Sequence, residues 1–283
     1  MSGCAGDGEE PSTRRVTQGK AGAVTVNDYD PGNFSDPTNV DNPYSPRQPG
    51  MRWVWEGKAL DDEGNPVDRR VEMVVSDMTK VLNGVPAVVA IDKDYNDGEI
   101  GEYELIFFSQ DDQGTVWLHG YYSEEWEEGK RVGASGWLGG VNDAKSGIYM
   151  HARPAVESPA YEQGIPPVEH EAPDYAEVFQ TGLRTCTPVD CYQNVVVTRE
   201  WHPSEPGVYQ LKYYAPGVGN VRIGYLGPDD PEKEQMTLTE FERMGPEELA
   251  KVREEVLALE ERAYKFNKDF YGETEPAEQL QEA

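Results

Sequence analysis

Basic residues are scarce: 25 Lys and Arg stand against 53 Asp and Glu in 283 residues, a formal charge of −28. That balance excludes the basic footprint with which a protein grips duplex nucleic acid or an anionic membrane surface. Long apolar runs are missing too; with no stretch of about 20 apolar residues, no segment reads as a membrane-spanning helix. Cysteine is limited to three residues, too few for a disulfide scaffold, and His119, His151, His170 and His202 show no metal-ligand spacing. The chain has no Gly-x-Ser-x-Gly elbow, His-Glu-x-x-His pair, P-loop or dinucleotide fingerprint. Residues 133–140, GASGWLGG, are glycine-rich but lack the spacing and the strand-to-helix setting. Apolar content is low at 37%, yet 6 Trp, 16 Tyr and 7 Phe are too many for a chain disordered throughout. An ordered core with polar ends reconciles the two.

What is present is mostly β-pattern. Residues 1–40, rich in Gly, Asp, Pro, Ser, Thr and Asn, show no apolar periodicity and read as a flexible tether. From residue 41 the composition shifts, and Trp53 and Trp55 alternate with polar neighbours as in a half-buried strand. Strand patterns follow at 71–81, 85–91, 103–109, 115–122, 131–138 and 148–152, with Asn83-Gly84 a strong hairpin signal. A Pro-rich crossing at 154–173 interrupts them before they resume at 175–180, 194–201, 208–214 and 220–226. About ten strands with hairpin-length turns predict an antiparallel meander over 41–228, as a curved sheet, open barrel or sandwich.

The period then changes. Thr237 with Glu240 resembles a capping box, and Leu249, Val252, Val256, Leu259, Ala263, Phe266 and Phe270 follow at spacings of three and four. This predicts a helical segment over 229–272 and an unstructured tail over 273–283. The apolar stripe suits docking onto the β domain; the alternative is self-association through residues 249–270 as a short coiled coil, a homo-oligomer.

Two features speak to location. Met1-Ser2-Gly3-Cys4 resembles the end of a bacterial lipoprotein signal, in which small residues precede a cysteine that becomes lipid-modified. Contact with a membrane would then run through that lipid anchor. Cys186 and Cys191 flank a Pro-Asp turn in TCTPVDC, where a short-loop disulfide would suit an oxidising compartment; free thiols are the alternative. The acidic excess itself suggests a salty habitat in which counterions screen self-repulsion.

For chemistry, Asp92, Asp94, Asn96, Asp97 and Glu99 place oxygen ligands close together near Gly98, a candidate for calcium, although the register is not that of an EF-hand and an Asx-rich hairpin turn explains it as well. Trp53, Trp55, Trp117, Trp126 and Tyr213 are candidates for an aromatic ligand-binding face, with a plain core as the alternative.

Three stretches carry a resemblance: NPYSPRQPGMRWVWEG (42–57), NDGEIGE with SQDDQGTVWLHG (96–102 and 109–120), and REWHPSEPGVYQLKYYAPGVGNV (199–221). Together they resemble a family of secreted or lipid-anchored bacterial proteins. Gln113-Gly114-Thr115 departs from the Asp-Gly-Asn of that family's pattern. The resemblance spans about residues 42–226 and implies an envelope location and a β architecture, but transfers no catalytic residue. The reading is an extracytoplasmic lipoprotein with a non-catalytic binding or assembly role. The alternatives are a hydrolase of an envelope polymer using strand-rim carboxylates, or a structural subunit assembling through its helix.

Overall fold

In β1 (Met51–Leu60) and β2 (Pro66–Leu82), alternate residues face opposite sides of the sheet, and both sides are buried along much of their length. The computed structural model describes residues 29–61, 63–167, 172–228 and 230–280. The strands continue as β3 (Val85–Asn96), β4 (Glu99–Gln110), β5 (Val116–Glu127), β6 (Lys130–Leu138) and β7 (Lys145–Met150). After two short pieces, β8 (Tyr161–Glu162) and β9 (Gly164–Ile165), come β10 (Tyr175–Cys186), β11 (Cys191–Trp201), β12 (Tyr209–Ala215), β13 (Gly219–Leu226) and β14 (Gln235–Arg243). All pairings are antiparallel, and the path runs β8-β10-β11-β12-β13-β14-β1-β2-β3-β4-β5-β7-β9. The expected mainly-β antiparallel fold is what the chain adopts, as a nearly closed barrel. Two-residue turns at Asn83-Gly84, Asp97-Gly98 and Glu128-Gly129 have both residues at positive φ, the geometry that matches strand twist.

Closure depends on the Pro-rich crossing, which is not a plain linker. β8 pairs β10, β9 pairs β7, and only Gln163 separates them, so one bent segment joins the two ends of the sheet. The approach is too close for side chains: a Cβ on Gly164 would meet the Trp137 ring at 2.2 Å, and one on Gly147 would meet the Gly164 nitrogen at 2.2 Å.

The barrel has two apolar cores. Inside lie Trp53, Trp55, Val71, Met73, Val75, Val88, Ala90 and Phe108. Outside, Val89, Ile91, Leu105 and Phe107 are covered by Val252, Val256, Leu259 and Ala263 of helix α1 (Pro246–Phe266). The expected stripe therefore docks on the sheet. Leu249 and Phe270, the latter in α2 (Lys268–Tyr271), are half-buried, and Phe266 is largely exposed beneath the Arg131 guanidinium.

Three boundaries differ from expectation. Residues 235–243 form β14 rather than the start of a helix, and Thr237 and Glu240 lie in register with Glu56 and Val54. Met236 and Leu238 alternate into the inner core, a strand period that overrides the apparent cap. The helix starts instead at Gly245-Pro246, where the Glu248 carboxylate accepts the Gly245 N–H at 3.0 Å. Of the tether expected over 1–40, residues 29–40 pack on the barrel, with Val40 fully buried and Tyr29 donating to the Asn83 carbonyl, and residues 1–28 lie outside the described residues. The tail expected over 273–283 packs through buried Ala277 and adds β15 (Glu278–Gln279) to β2. In both cases a few apolar anchors suffice to fix polar chain on a ready-made surface.

Candidate functional site

Strand alternation carries the inner face from apolar to ionic along each strand. On β3, Val88 and Ala90 are followed at the same parity by Asp92 and Asp94; on β4, Phe108 and Ile106 by Glu104 and Glu102. β2 passes from Val75, Met73 and Val71 to Arg69, and β12 from Tyr214 to Lys212 and Gln210. One end of the interior is filled: segment 40–48 lies across it, with the buried Arg47 guanidinium over the rings of Trp53, Phe108 and Tyr149 at 5.0–5.3 Å. The other end holds a cavity of about 550 Å³.

Its aromatic wall comprises Tyr121, Trp137, Trp201 and Tyr225, with Phe108 and Tyr149 towards the filled end. Eight acids also line it, Asp92, Glu104, Asp174, Glu200, Glu205, Asp230, Glu232 and Glu234, whereas Lys212 is the one lysine or arginine among the described residues that do. The cations nearby are already engaged. Lys212 Nζ lies 2.8 Å from Glu200, and Arg69 binds Asp94 at 2.5 Å and Glu234 at 3.1 Å. Gln210 also donates to Glu234, and Thr198 to Glu200. Asp92 and Glu104 are cross-strand partners and take part in no ion pair among the described residues.

Burial, reinforced by Asp94 and Glu104 at Asp92 and by Glu102 and Glu234 at Asp94, pushes the Asp92 and Asp94 carboxyls up, although Arg69 opposes the shift at Asp94. Burial together with Glu102 and Asp94 pushes Glu104 up to about 8, against a hydrogen bond from Ser123. Glu104 is thus largely protonated at neutral pH while the cavity is empty of counter-charge.

The expected site residues are placed otherwise. Trp53 and Trp55 stack at 6.4 Å in the filled end and donate to the carbonyls of Val218 and Asn220, so they are core. Trp117 donates to Asp111 and is covered by Tyr29 and Phe34. Trp126 sits half-buried near the β5–β6 turn, and Tyr213 packs against the inner core beneath Arg222. None of these five lines the cavity, because parity selects a face but not the end of the barrel.

Of the calcium candidates only Asp92 lines the cavity. Asp94 and Asn96 are held by Arg69, Asp97 accepts the Asp68 N–H, and Glu99 is exposed at the start of β4. An extended strand spreads alternate ligands by almost 7 Å instead of converging them, and among the described residues no three acidic, His or Cys groups converge on a metal position. Cys186 and Cys191 are disulfide-bonded at the end of the β10–β11 hairpin; Cys4 and His170 lie outside the described residues. His119 is buried between Ser109 and Ser146 at 2.6 and 2.8 Å, and burial pushes it down to about 3, leaving it neutral. Tyr29 and Phe34 seal that group from above, and no carboxylate joins it.

Sequence reasoning missed Trp137, Trp201, Glu104, Glu200 and Glu234 as cavity residues. The available signal was the in-phase run of Asp92, Asp94, Glu102 and Glu104 on one hairpin, since unneutralised acids of inward parity need a cavity or solvent to face.

No family model and no curated protein matches this chain. Among solved structures, it is similar to a protein of YmcC-like fold assigned as exported, from Bacteroides fragilis, at 14% identity and a TM-score of 0.41, over 71% of this chain and 99% of that one. It is also similar to a protein assigned as a lipoprotein, from Parabacteroides distasonis, at 15% identity and a TM-score of 0.39, over 70% and 98%. At scores below 0.5 neither likeness bears on what this chain does.

Proposed function

We propose that this protein is an extracytoplasmic lipoprotein of the cell envelope that binds a small ligand, without chemistry, inside its barrel. The observation that carries the binding role is the cavity itself. About 550 Å³ is the size of a small-molecule site, and it combines aromatic walls with a few unneutralised polar groups. Location is supported by the Cys186–Cys191 disulfide and by the lipoprotein-like Cys4.

An inward side chain on the cavity wall supplies the test. Ile106 lines the cavity at the same parity as Glu104 and Phe108 and is already partly exposed, so Ile106→Trp extends into the space. A panel of small amines, amino acids and sugars, followed by the fluorescence of Trp137 and Trp201 and by thermal melting, should contain compounds that stabilise the wild type and not this variant. If every stabilising compound acts equally on Ile106→Trp, the cavity is not the site. Metabolic labelling with a fatty acid should mark the wild type and not Cys4→Ala; an unlabelled wild type removes the anchor.

The hydrolase alternative has one observation in its favour. The cross-strand pair of Asp92 and Glu104 is held partly protonated, as a general acid must be. It requires turnover of an envelope polysaccharide or peptide that Glu104→Gln abolishes.

A further inference from the structure

We infer that the cavity takes an extended aliphatic amine, a di- or triamine whose separated ammonium groups answer separated carboxylates. The inference rests on the reading of the barrel interior as a binding site and adds the class of ligand. Four features lead to it.

The first is sign: acids outnumber bases among the described lining residues, and the one lysine among them is already matched by Glu200 at 2.8 Å. The second is an incomplete contact. Asp92 lines the cavity, yet its Oδ1 is buried without any hydrogen-bond partner. A buried carboxylate oxygen left unpaired is costly, and a donor arriving through the cavity removes that cost.

The third is dispersal. Asp92 and Glu104 stand on the β3–β4 wall, whereas Glu205 and Glu232 line the cavity from the segments before β12 and β14 without an ion pair among the described residues, and no three acids among these converge as a metal ion requires. Spread charges fit a chain carrying several ammonium groups. The fourth is the remaining wall: Trp137, Trp201, Tyr121 and Tyr225 offer ring faces to methylene groups and to cations, a contact worth about 0.5–2 kcal/mol each when desolvated.

Because the whole chain is strongly acidic, any polyamine will be attracted to it loosely, and the experiment must separate that background. Spermidine is titrated calorimetrically into the full chain at about 150 mM salt, where exposed charges are largely screened. Saturable binding is expected. It should fall at least about tenfold in Asp92→Asn/Glu104→Gln, and also in Ile106→Trp. It should stay within about twofold in Glu254→Gln/Glu261→Gln, whose side chains are exposed on α1. The cavity acids are replaced by isosteric amides, and the thermal melt of each variant shows that it is folded.

Binding that is non-saturable, or that the α1 substitutions weaken as much as the cavity ones, overturns the inference. So does stoichiometric displacement of spermidine by calcium, which would make the site a metal site. If spermidine does not bind but a neutral or anionic compound does, and Ile106→Trp blocks it, the amine class is wrong and the cavity reading stands. If Ile106→Trp affects no compound, both fall.

Discussion

The two faces of the β3–β4 hairpin bury charge in opposite ways. On the outer face, Val89, Ile91, Leu105 and Phe107 meet α1, and the one buried cation beside them is fully matched. Lys80 is 1% exposed and donates to Glu260 at 2.9 Å, to the Tyr264 hydroxyl at 3.0 Å and to the Glu275 carbonyl at 2.6 Å. Glu260 in turn accepts from the Ala277 N–H and the Tyr271 hydroxyl. Lys80 Nζ has three acceptors and both Glu260 oxygens have donors within the chain, so that pair is closed. On the inner face of the same strands, Asp92 and Glu104 have no cation and face open space. The difference teaches where this fold is complete and where it waits for something: a satisfied ionic group pins two elements together, an unsatisfied one marks a wall meant for contact.

The largest expected effect tests the closed pair. Glu260→Ala strands Lys80 without its counter-charge and should cost about 3–5 kcal/mol in urea unfolding, while Lys80→Met/Glu260→Leu should recover most of it. A loss below about 1 kcal/mol for Glu260→Ala would mean that the group is not the pin described.

Next, equal truncations should cost different amounts on the two faces. Leu259→Ala, in the dry contact under α1, should lose about 3 kcal/mol. Ile106→Ala, on the cavity wall, should lose about 1 kcal/mol, because its side chain is already partly exposed. Equal losses would show an inner face packed as tightly as the outer.

A smaller effect comes from pH. Glu104 is raised to about 8, so between the ordinary carboxylate range and pH 8 the folded state keeps a proton that the unfolded state has released. Stability should therefore fall as pH rises through that window, by about 1 kcal/mol per unit at most from this group, and level off above it. Asp92 and Asp94 are displaced in the same direction and add to the slope. His119, held down to about 3, acts oppositely: its contribution is lost as pH falls below about 6.5. Chemical denaturation from pH 6.5 to 8.5 thus isolates the carboxyls, and Glu104→Gln should flatten the trend. A curve that rises over that range, or is unchanged in the variant, contradicts the assignment.

The smallest effect is a gain. Asp92→Asn relieves crowding with Asp94 and Glu104 and should stabilise the empty protein by under about 1 kcal/mol, read as a small increase in Tm.

Much of the β architecture was legible. Asn83-Gly84 announced its hairpin, and the stripe from Leu249 to Phe270 announced a docking helix. Less was legible where two signals competed. The stretch Met236-Thr237-Leu238-Thr239-Glu240 carries both a strand alternation and a capping pattern, and only pairing with β1 decides between them. The Pro-rich crossing gave no sign that Tyr161–Glu162 and Gly164–Ile165 would each complete a different edge. Of the site, Asp92 was singled out for calcium and the cavity tryptophans were not chosen at all. Trp53 and Trp137 both face inward, but one lies in the filled end and the other beside the cavity.

The sequence by itself determined most of the long strands, the acidic surplus and the apolar helical stripe, because each depends on neighbours a few residues away. The tertiary structure alone decided that the strands close on themselves, that residues 29–40 and 273–280 are held down, and that Asp92 and Glu104 share a cavity with Trp137 and Trp201. Those outcomes depend on which strands meet and on how far along the barrel axis each side chain sits. A local pattern of period two specifies the side of a sheet, but carries no information about position along that axis.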